Sequence, residues 1–187
     1  MRIGVIIPSF RSNPKIINQI LFNINRAFMN IGIKADLLLI DFGSSEDLYK
    51  NITNIGGYLN NLNLRVKKLA KDRGLLYMRQ IGAKSLTHCD YILFVDNDVI
   101  PHVDVIIQAI KLAETDARIG AVTAILKGSP IPYFDISFFP ISFRDYPQRP
   151  LLILNPIGGF FLLSKRALKA LFLTRPHEIQ FWYEDVS

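Results

Sequence analysis

The sequence predicts an α/β fold, a mostly parallel central sheet flanked by helices, and two observations predict it. Short apolar runs alternate with amphipathic helical patterns through the first two-thirds of the chain, and the polar residues suited to chemistry fall where those runs end. With 187 residues, 50% hydrophobic and 20% charged, the chain can build one substantial core, which excludes disorder and a linear repeat array.

The first apolar run, residues 3–7, is far shorter than a signal peptide's and lacks a small-residue cleavage site, so it reads as a strand. Pro14 then sits where a helix tolerates it, after Ser12 or Asn13 as cap, and Ile16, Ile17, Ile20, Leu21, Ile24 and Phe28 follow at helical spacing. A second strand is predicted over 36–40, a weaker helix over 46–60, a third strand over 64–69 and a helix over 75–87. Residues 91–95 form the clearest buried strand, followed by a helix over 102–115 and a strand over 119–126. From 127 to 150 five prolines and several aromatics break the pattern; so long a connection reads either as a substrate-binding loop or as irregular core packing. The chain closes with Gly158-Gly159, a helix over about 165–171, and the run from Phe181 to Ser187. Leu151 to Leu163 is the most apolar late window. It has 13 residues interrupted by Asn155, Pro156 and two glycines, too short and too broken to span a membrane.

Twenty-two basic against 16 acidic residues give a net charge of +6. Seven of the bases (Arg65, Lys67, Lys68, Lys71, Arg73, Arg79 and Lys84) lie in one stretch with a single acid, Asp72. Lys71 and Arg73, in the loop after the third strand, are placed to pair with a pyrophosphate, whereas Lys67 and Lys68 read as a solvated edge. Attraction to an anionic membrane surface is the competing use of this charge. A lone cysteine, Cys89, makes no internal disulfide and points to a reducing, cytoplasmic location, at the membrane surface if the basic stretch binds lipid. His88, His102 and His177 show no helical pairing, so no histidine metal site is expected.

In an open α/β sheet, ligands bind outside the carboxyl ends of the strands, where strand order reverses. Pro8-Ser9, Asp41 to Ser45 and Asp96-Asn97-Asp98 all fall at such ends and are expected to converge on one crevice. On an extended chain Asp96 and Asp98 share a face, with Asn97 pointing away and the two backbones about 6.6 Å apart. One carboxylate then ligates Mn2+ or Mg2+ and the other positions, as at nucleotide sites; alternatively, Asp98 or Asn97 merely caps the next helix. Glu184-Asp185 follows an aromatic run whose apolar surroundings raise a carboxyl pKa toward that of a general base, although such a terminal pair otherwise reads as surface charge.

In chain order, Val5-Ile6-Ile7-Pro8-Ser9-Phe10, Asp41-Phe42-Gly43-Ser44-Ser45-Glu46-Asp47, Asp72-Arg73-Gly74 with Arg79-Gln80-Ile81-Gly82, Phe94-Val95-Asp96-Asn97-Asp98, Gly158-Gly159-Phe160 and Glu184-Asp185 resemble the family 2 glycosyltransferases of GT-A fold. The resemblance spans nearly the whole chain. It implies a single GT-A, Rossmann-like domain over 1–187, with a donor half at 1–100 and an acceptor half at 101–187. It also implies a metal-dependent, inverting transfer of a sugar from a nucleoside diphosphate. Pro8, Ser9, Asp41, Arg73, Arg79 and Asp96 are then assigned to the donor nucleotide, Asp98 to Mn2+ or Mg2+, Asp185 to the catalytic base, and Gly158, Gly159 and Glu184 to the acceptor and donor-sugar loop. The implied partners are a nucleotide-sugar donor, a UDP-sugar first, and a glycan, lipid or protein acceptor, with no nucleic acid. Phe42 stands where the family usually has a second acid, and Asp72-Arg73-Gly74 replaces Asn-x-Gly. Family members also continue beyond the Glu-Asp motif, so the acceptor half is expected to be minimal, completed by a partner, or truncated. A non-catalytic sugar-nucleotide or carbohydrate binding module of the same fold is the alternative. A nucleotidyltransferase would also use Asp-X-Asp, but its glycine-rich basic loop is missing.

Overall fold

The computed structural model describes residues 1–124 and 159–169, together with the backbone of Tyr133–Phe134 and Pro140–Ile141. Its elements run β1 (Ile3–Phe10), α1 (Pro14–Asn30), β2 (Ala35–Phe42), α2 (Glu46–Gly56), β3 (Leu62–Lys68), α3 (Gly74–Ser85), β4 (Tyr91–Val95), α4 (Val103–Thr115) and β5 (Ala121–Thr123). They continue with the short pair β6 (Tyr133–Phe134) and β7 (Pro140–Ile141), then β8 (Phe160–Ser164) and α5 (Lys165–Leu168). The main sheet has six strands in the order β3-β2-β1-β4-β8-β5. β1, β2, β3 and β4 are mutually parallel, and β8 is inserted antiparallel between β4 and β5. The long connection over 127–150 lies outside the described residues apart from the β6 and β7 backbones, which pair antiparallel.

The elements follow from local chemistry. β1 and the interior of β2 are buried on both faces, which is why they read as unbroken apolar runs rather than as alternating strands. Asn13, not Ser12, caps α1: its side chain accepts from the Lys15 amide at 2.9 Å, one residue before Pro14. α1, α2 and α4 cover one face of the sheet through Ile17, Leu21, Phe28, Leu48, Ile52, Ile106 and Ile110. α3 and α5 cover the other through Met78, Ala83 and Leu168 packed on Ile6, Ile40, Phe94 and Phe161. β3 is an edge strand on which Arg65, Lys67 and Lys68 are exposed, as a solvated edge requires; charged side chains there oppose pairing with another chain.

The strand β8 corrects the sequence reading, in which its residues were only part of an apolar window. Buried on both faces over Phe160 to Leu163 and bounded by glycine, it carries no alternation to reveal it. α3 packs tightly on β1 at Gly82, where an added Cβ would lie 2.8 Å from Ile6 Cδ1 and 2.9 Å from its Cγ2. Overpacking of this kind costs about 1–3 kcal/mol, of which helix propensity returns about 1. Gly82→Ala is therefore expected to lower unfolding stability by about 1 kcal/mol in urea titration, with recovery when Ile6→Val is added.

Candidate active site

Strand order reverses at β1, which has β2 on one side and β4 on the other, and the carboxyl ends of β1 and β4 open a crevice there. A cavity of about 360 Å³ occupies it, lined by Pro8, Ser9 and Phe10 from β1, Asp72, Gly74, Leu75 and Met78 from the start of α3, and Asp96, Asn97 and Asp98 after β4. Pro8, Ser9, Asp96 and Asp98 are thus brought together as the sequence predicts. Gly74 takes a left-handed φ of 74°, and its amide donates to Asp72 Oδ1 at 2.8 Å, which turns the chain from β3 into α3 at the crevice wall.

Behind this wall lies a buried carboxylate network. Asp41 is completely buried. Its Oδ1 accepts from the Ser9 hydroxyl at 2.6 Å and from the Ser44 hydroxyl, and its Oδ2 accepts from the Tyr49 hydroxyl and, at 3.4 Å, from the Ser44 amide. Burial, and then the hydrogen bond to Asp41, push the Tyr49 hydroxyl well above the usual phenol range. Ser12, also buried, bridges Ser9 at 2.7 Å and takes a 2.6 Å hydrogen bond from Asn97 Nδ2. The ends of β1, β2 and β4 are therefore linked through one chain of hydrogen bonds. Tyr49→Phe removes a bond to a buried charge and is expected to cost about 1.5–3 kcal/mol in urea unfolding; a change below 0.5 kcal/mol would show that Asp41 is satisfied without it.

The turn after β4 corrects the extended reading of Asp96 to Asp98. β4 ends at Val95, and the Val99 amide donates to the Asp96 carbonyl at 3.1 Å, so the three residues lie in a turn and Asn97 points to Ser12 and to the Phe10 carbonyl rather than away from the crevice. α4 is capped by His102, whose Nδ1 accepts from the Asp104 amide, so neither Asp98 nor Asn97 serves as the helix cap. Asp98 is exposed in the crevice and Asp96 is half-buried beneath it.

Arg79 and Arg73 do not line the cavity. Arg79 reaches up from α3 and bonds Asp96 Oδ1 at 2.6 Å, with its guanidinium 5.1 Å from the Phe161 ring centre. Burial raises the Asp96 carboxyl above the usual range, the charge of Arg79 opposes that shift, and neighbouring Asp98 adds to it. Arg73 lies over the Tyr77 ring at 5.6 Å. Gly159 is buried beside the turn, where its carbonyl accepts from the Asp96 amide at 2.9 Å. Gly158, Glu184 and Asp185 lie outside the described residues. At the rim, Phe42 stacks on Phe10 with ring centres 5.8 Å apart, and Arg11 lies over Phe10 at 5.1 Å with a left-handed φ of 45°.

Sequence reasoning missed Tyr49, the hydrogen bonds of the Ser12 and Ser44 hydroxyls to the Ser9–Asp41 pair, and the inward role of Asn97. The Ser44 signal was present, since it follows Gly43, whose φ of 73° turns the chain back toward Asp41.

Comparison with solved structures finds the same fold at low identity. A mannosyltransferase from Pyrobaculum calidifontis, PcManGT, solved in complex with GDP-Man and Mn2+, superposes with a TM-score of 0.63 and 16% identity over 91% of this chain and 46% of its own. S. aureus TarS 1-349 gives 0.59 and 18% over 91% and 49%. Glucosyl-3-phosphoglycerate synthase from Mycobacterium tuberculosis, with Mn2+, UDP and glucosyl-3-phosphoglycerate, gives 0.57 and 17% over 88% and 57%. The chain therefore spans about half the length of these proteins. No helix among the described residues is long and apolar enough to cross a membrane. No curated protein matches the chain significantly in sequence. The profile of Glycosyl transferase family 2 matches residues 4–172, from the start of β1 past α5, and with the sheet order and the crevice at its switch point it establishes that this chain belongs to glycosyltransferase family 2, with a GT-A fold.

Proposed function

We propose that the chain is the catalytic part of a metal-dependent, inverting glycosyltransferase that uses a nucleoside diphosphate sugar, a UDP-sugar in the first instance. The observation that carries this reading is the crevice at the β1/β4 switch point, where two carboxylates meet the Asp72–Gly74 turn on a chain of this family. In this reading Ser9 and Asp41 shape the floor of the nucleotide site, with Asp41 acting through Ser9 because its own oxygens are taken up internally. The donor set suits a hard divalent cation. Asp98 offers a carboxylate exposed in the crevice, and Asp96, one of whose oxygens is held by Arg79, lies beside it. Mn2+ or Mg2+, when bound, supplies positive charge against the departing diphosphate.

Asp185 takes the acceptor hydroxyl proton as that oxygen bonds to the anomeric carbon, and the bond from that carbon to the diphosphate oxygen breaks on the opposite face. Gly158 and Gly159 let the backbone approach the sugar closely, and Glu184 belongs with them to the acceptor and donor-sugar loop. The acceptor is a glycan, lipid or protein. The exposed cations of β3 favour a position at an anionic membrane surface on the cytoplasmic side.

The test is a thermal-shift panel of UDP, GDP, dTDP and CMP, each with and without Mn2+. A ligand at 100 times its Kd adds about 2.7 kcal/mol, so the matching nucleotide is expected to raise Tm by about 5–10 °C only with metal. No shift with any nucleotide would sink the reading. Asp185→Asn is expected to keep that shift while lowering transfer by at least about 100-fold. Donor binding without turnover against any acceptor would instead favour a binding module of the same fold.

A further inference from the structure

At the opposite end of the sheet from the crevice, three potential metal ligands converge from positions far apart in sequence. Asp36 lies near the start of β2, and His88 and Cys89 lie in the turn between α3 and β4. One ligand atom from each lies within 4.8 Å of the other two. His88 Nε2 and Asp36 Oδ2 are 2.8 Å apart, and Asn63 Nδ2 donates to the other Asp36 oxygen at 3.0 Å, which leaves Oδ2 directed at the cluster. Beneath them runs β1, in register with Asp36 and Ile92 at Gly4. A Cβ on Gly4 would lie 3.2 Å from the Cys89 sulfur and 2.9 Å from Leu86 Cδ1, so the missing side chain makes the room in which the thiol sits. The register from Gly4 to Ser9 puts the cluster about 17 Å from the floor of the crevice.

We propose that Asp36, His88 and Cys89 form a binding site for a borderline-soft divalent cation, best matched by Zn2+, which staples β2 to the start of β4 across β1. Zinc bonds of 2.0–2.3 Å to oxygen, nitrogen and sulfur put tetrahedral ligands about 3.3–3.7 Å apart, so the pair at 2.8 Å opens slightly and the sulfur closes in. Imidazole and thiolate select zinc-like ions over the magnesium and manganese suited to the carboxylates of the crevice. As the metal–sulfur bond forms, the thiol proton passes to water, and the two anionic ligands neutralise the ion. The side chains of His88 and Asp36 are 43% and 30% exposed, so the fourth position is open to water. The Asn63 hydrogen bond orients the carboxylate from outside the ligand set, as partners of metal ligands commonly do. Sequence spacing hid the site because His88 and Asp36 are 52 residues apart.

The site is tested with Co2+ alone on the reduced full chain. Wild type is expected to show a sulfur-to-metal charge-transfer band that saturates at one Co2+ per thiol and that Zn2+ abolishes by displacement. Cys89→Ser should lose the band, His88→Gln should weaken binding about 10-fold or more, and Asp98→Ala, altered only in the crevice, should keep both band and affinity. Zn2+ should raise Tm in wild type and not in Cys89→Ser. Absence of the band in wild type overturns the proposal. So does a band unaffected by both His88→Gln and Asp36→Asn, which would mean cobalt held by the thiol without the other two ligands. None of these readouts depends on glycosyl transfer.

Discussion

Replacing Arg79 with leucine is expected to destabilise the protein by about 3 kcal/mol, because it strands the Asp96 carboxylate in a setting that already disfavours its charge. The side chains of Arg79 and Asp96 are only 14% and 22% exposed, so water replaces little of the lost 2.6 Å contact, and the packing of the guanidinium on Phe161 is lost as well. The sign of the pH dependence follows from the same geometry. A carboxyl whose folded pKa is raised binds protons more tightly folded than unfolded, so stability falls as pH rises from the unfolded pKa through the folded one. Wild type already has this tendency at Asp96, restrained by Arg79; without the arginine the window extends upward. The deficit of Arg79→Leu should therefore be largest near pH 7 and shrink toward about pH 4.5 in urea titrations at the two pH values. Adding Asp96→Leu should recover most of the loss, since a pair replaced by apolar groups is often near neutral. A deficit independent of pH would mean that packing on Phe161, rather than charge, is what Arg79 contributes.

The largest functional effect is expected at Asp98. Unlike Asp96 it is exposed in the crevice, and the helix that follows is capped by His102, so its carboxylate has no structural task in the described residues that asparagine would fail to fill. Asp98→Asn should leave the unfolding midpoint of the ligand-free chain within about 0.5 kcal/mol of wild type. Transfer should fall at least about 100-fold, equivalent to about 2.7 kcal/mol of transition-state stabilisation, and the metal-dependent nucleotide shift should disappear. Asn97→Ala should separate from it, weakening the chain through the lost bond to Ser12 with a smaller effect on metal dependence. Full activity in Asp98→Asn would reject metal ligation there.

The strands and helices of the first hundred residues were legible because their burial is written as periodicity: unbroken apolar runs in β1 and β2, and a stripe along α1. The crevice was legible from topology, since polar residues at strand ends meet wherever a parallel sheet reverses order. Three features were hidden for different physical reasons. β8 pairs antiparallel inside the sheet, so neither alternation nor a following crossover marks it. Asn97 turns inward because a tight turn replaces the two-residue alternation that an extended chain would impose. Tyr49 reaches Asp41 from the first turn of α2 across the loop after β2, so the two residues belong to different elements and no single period relates them. Arg79, assigned to the donor from its motif, has a second task that the motif does not show, holding Asp96 from its seat on Phe161.

The insertion of β8 between β4 and β5 also sets the order in which the molecule can assemble. β1 to β4 are complete as a parallel ladder once residue 95 has left the ribosome, whereas among the described residues β5 pairs with β8, whose Phe160 follows Thr123 by 37 residues. Until then the open side of β4 presents an unpaired row of backbone groups, the kind of edge on which nascent chains associate with one another. Synthesis through this interval thus leaves the β4 edge exposed to association, and the Phe160–Ser164 segment ends that exposure by joining β4 and β5 into one continuous sheet.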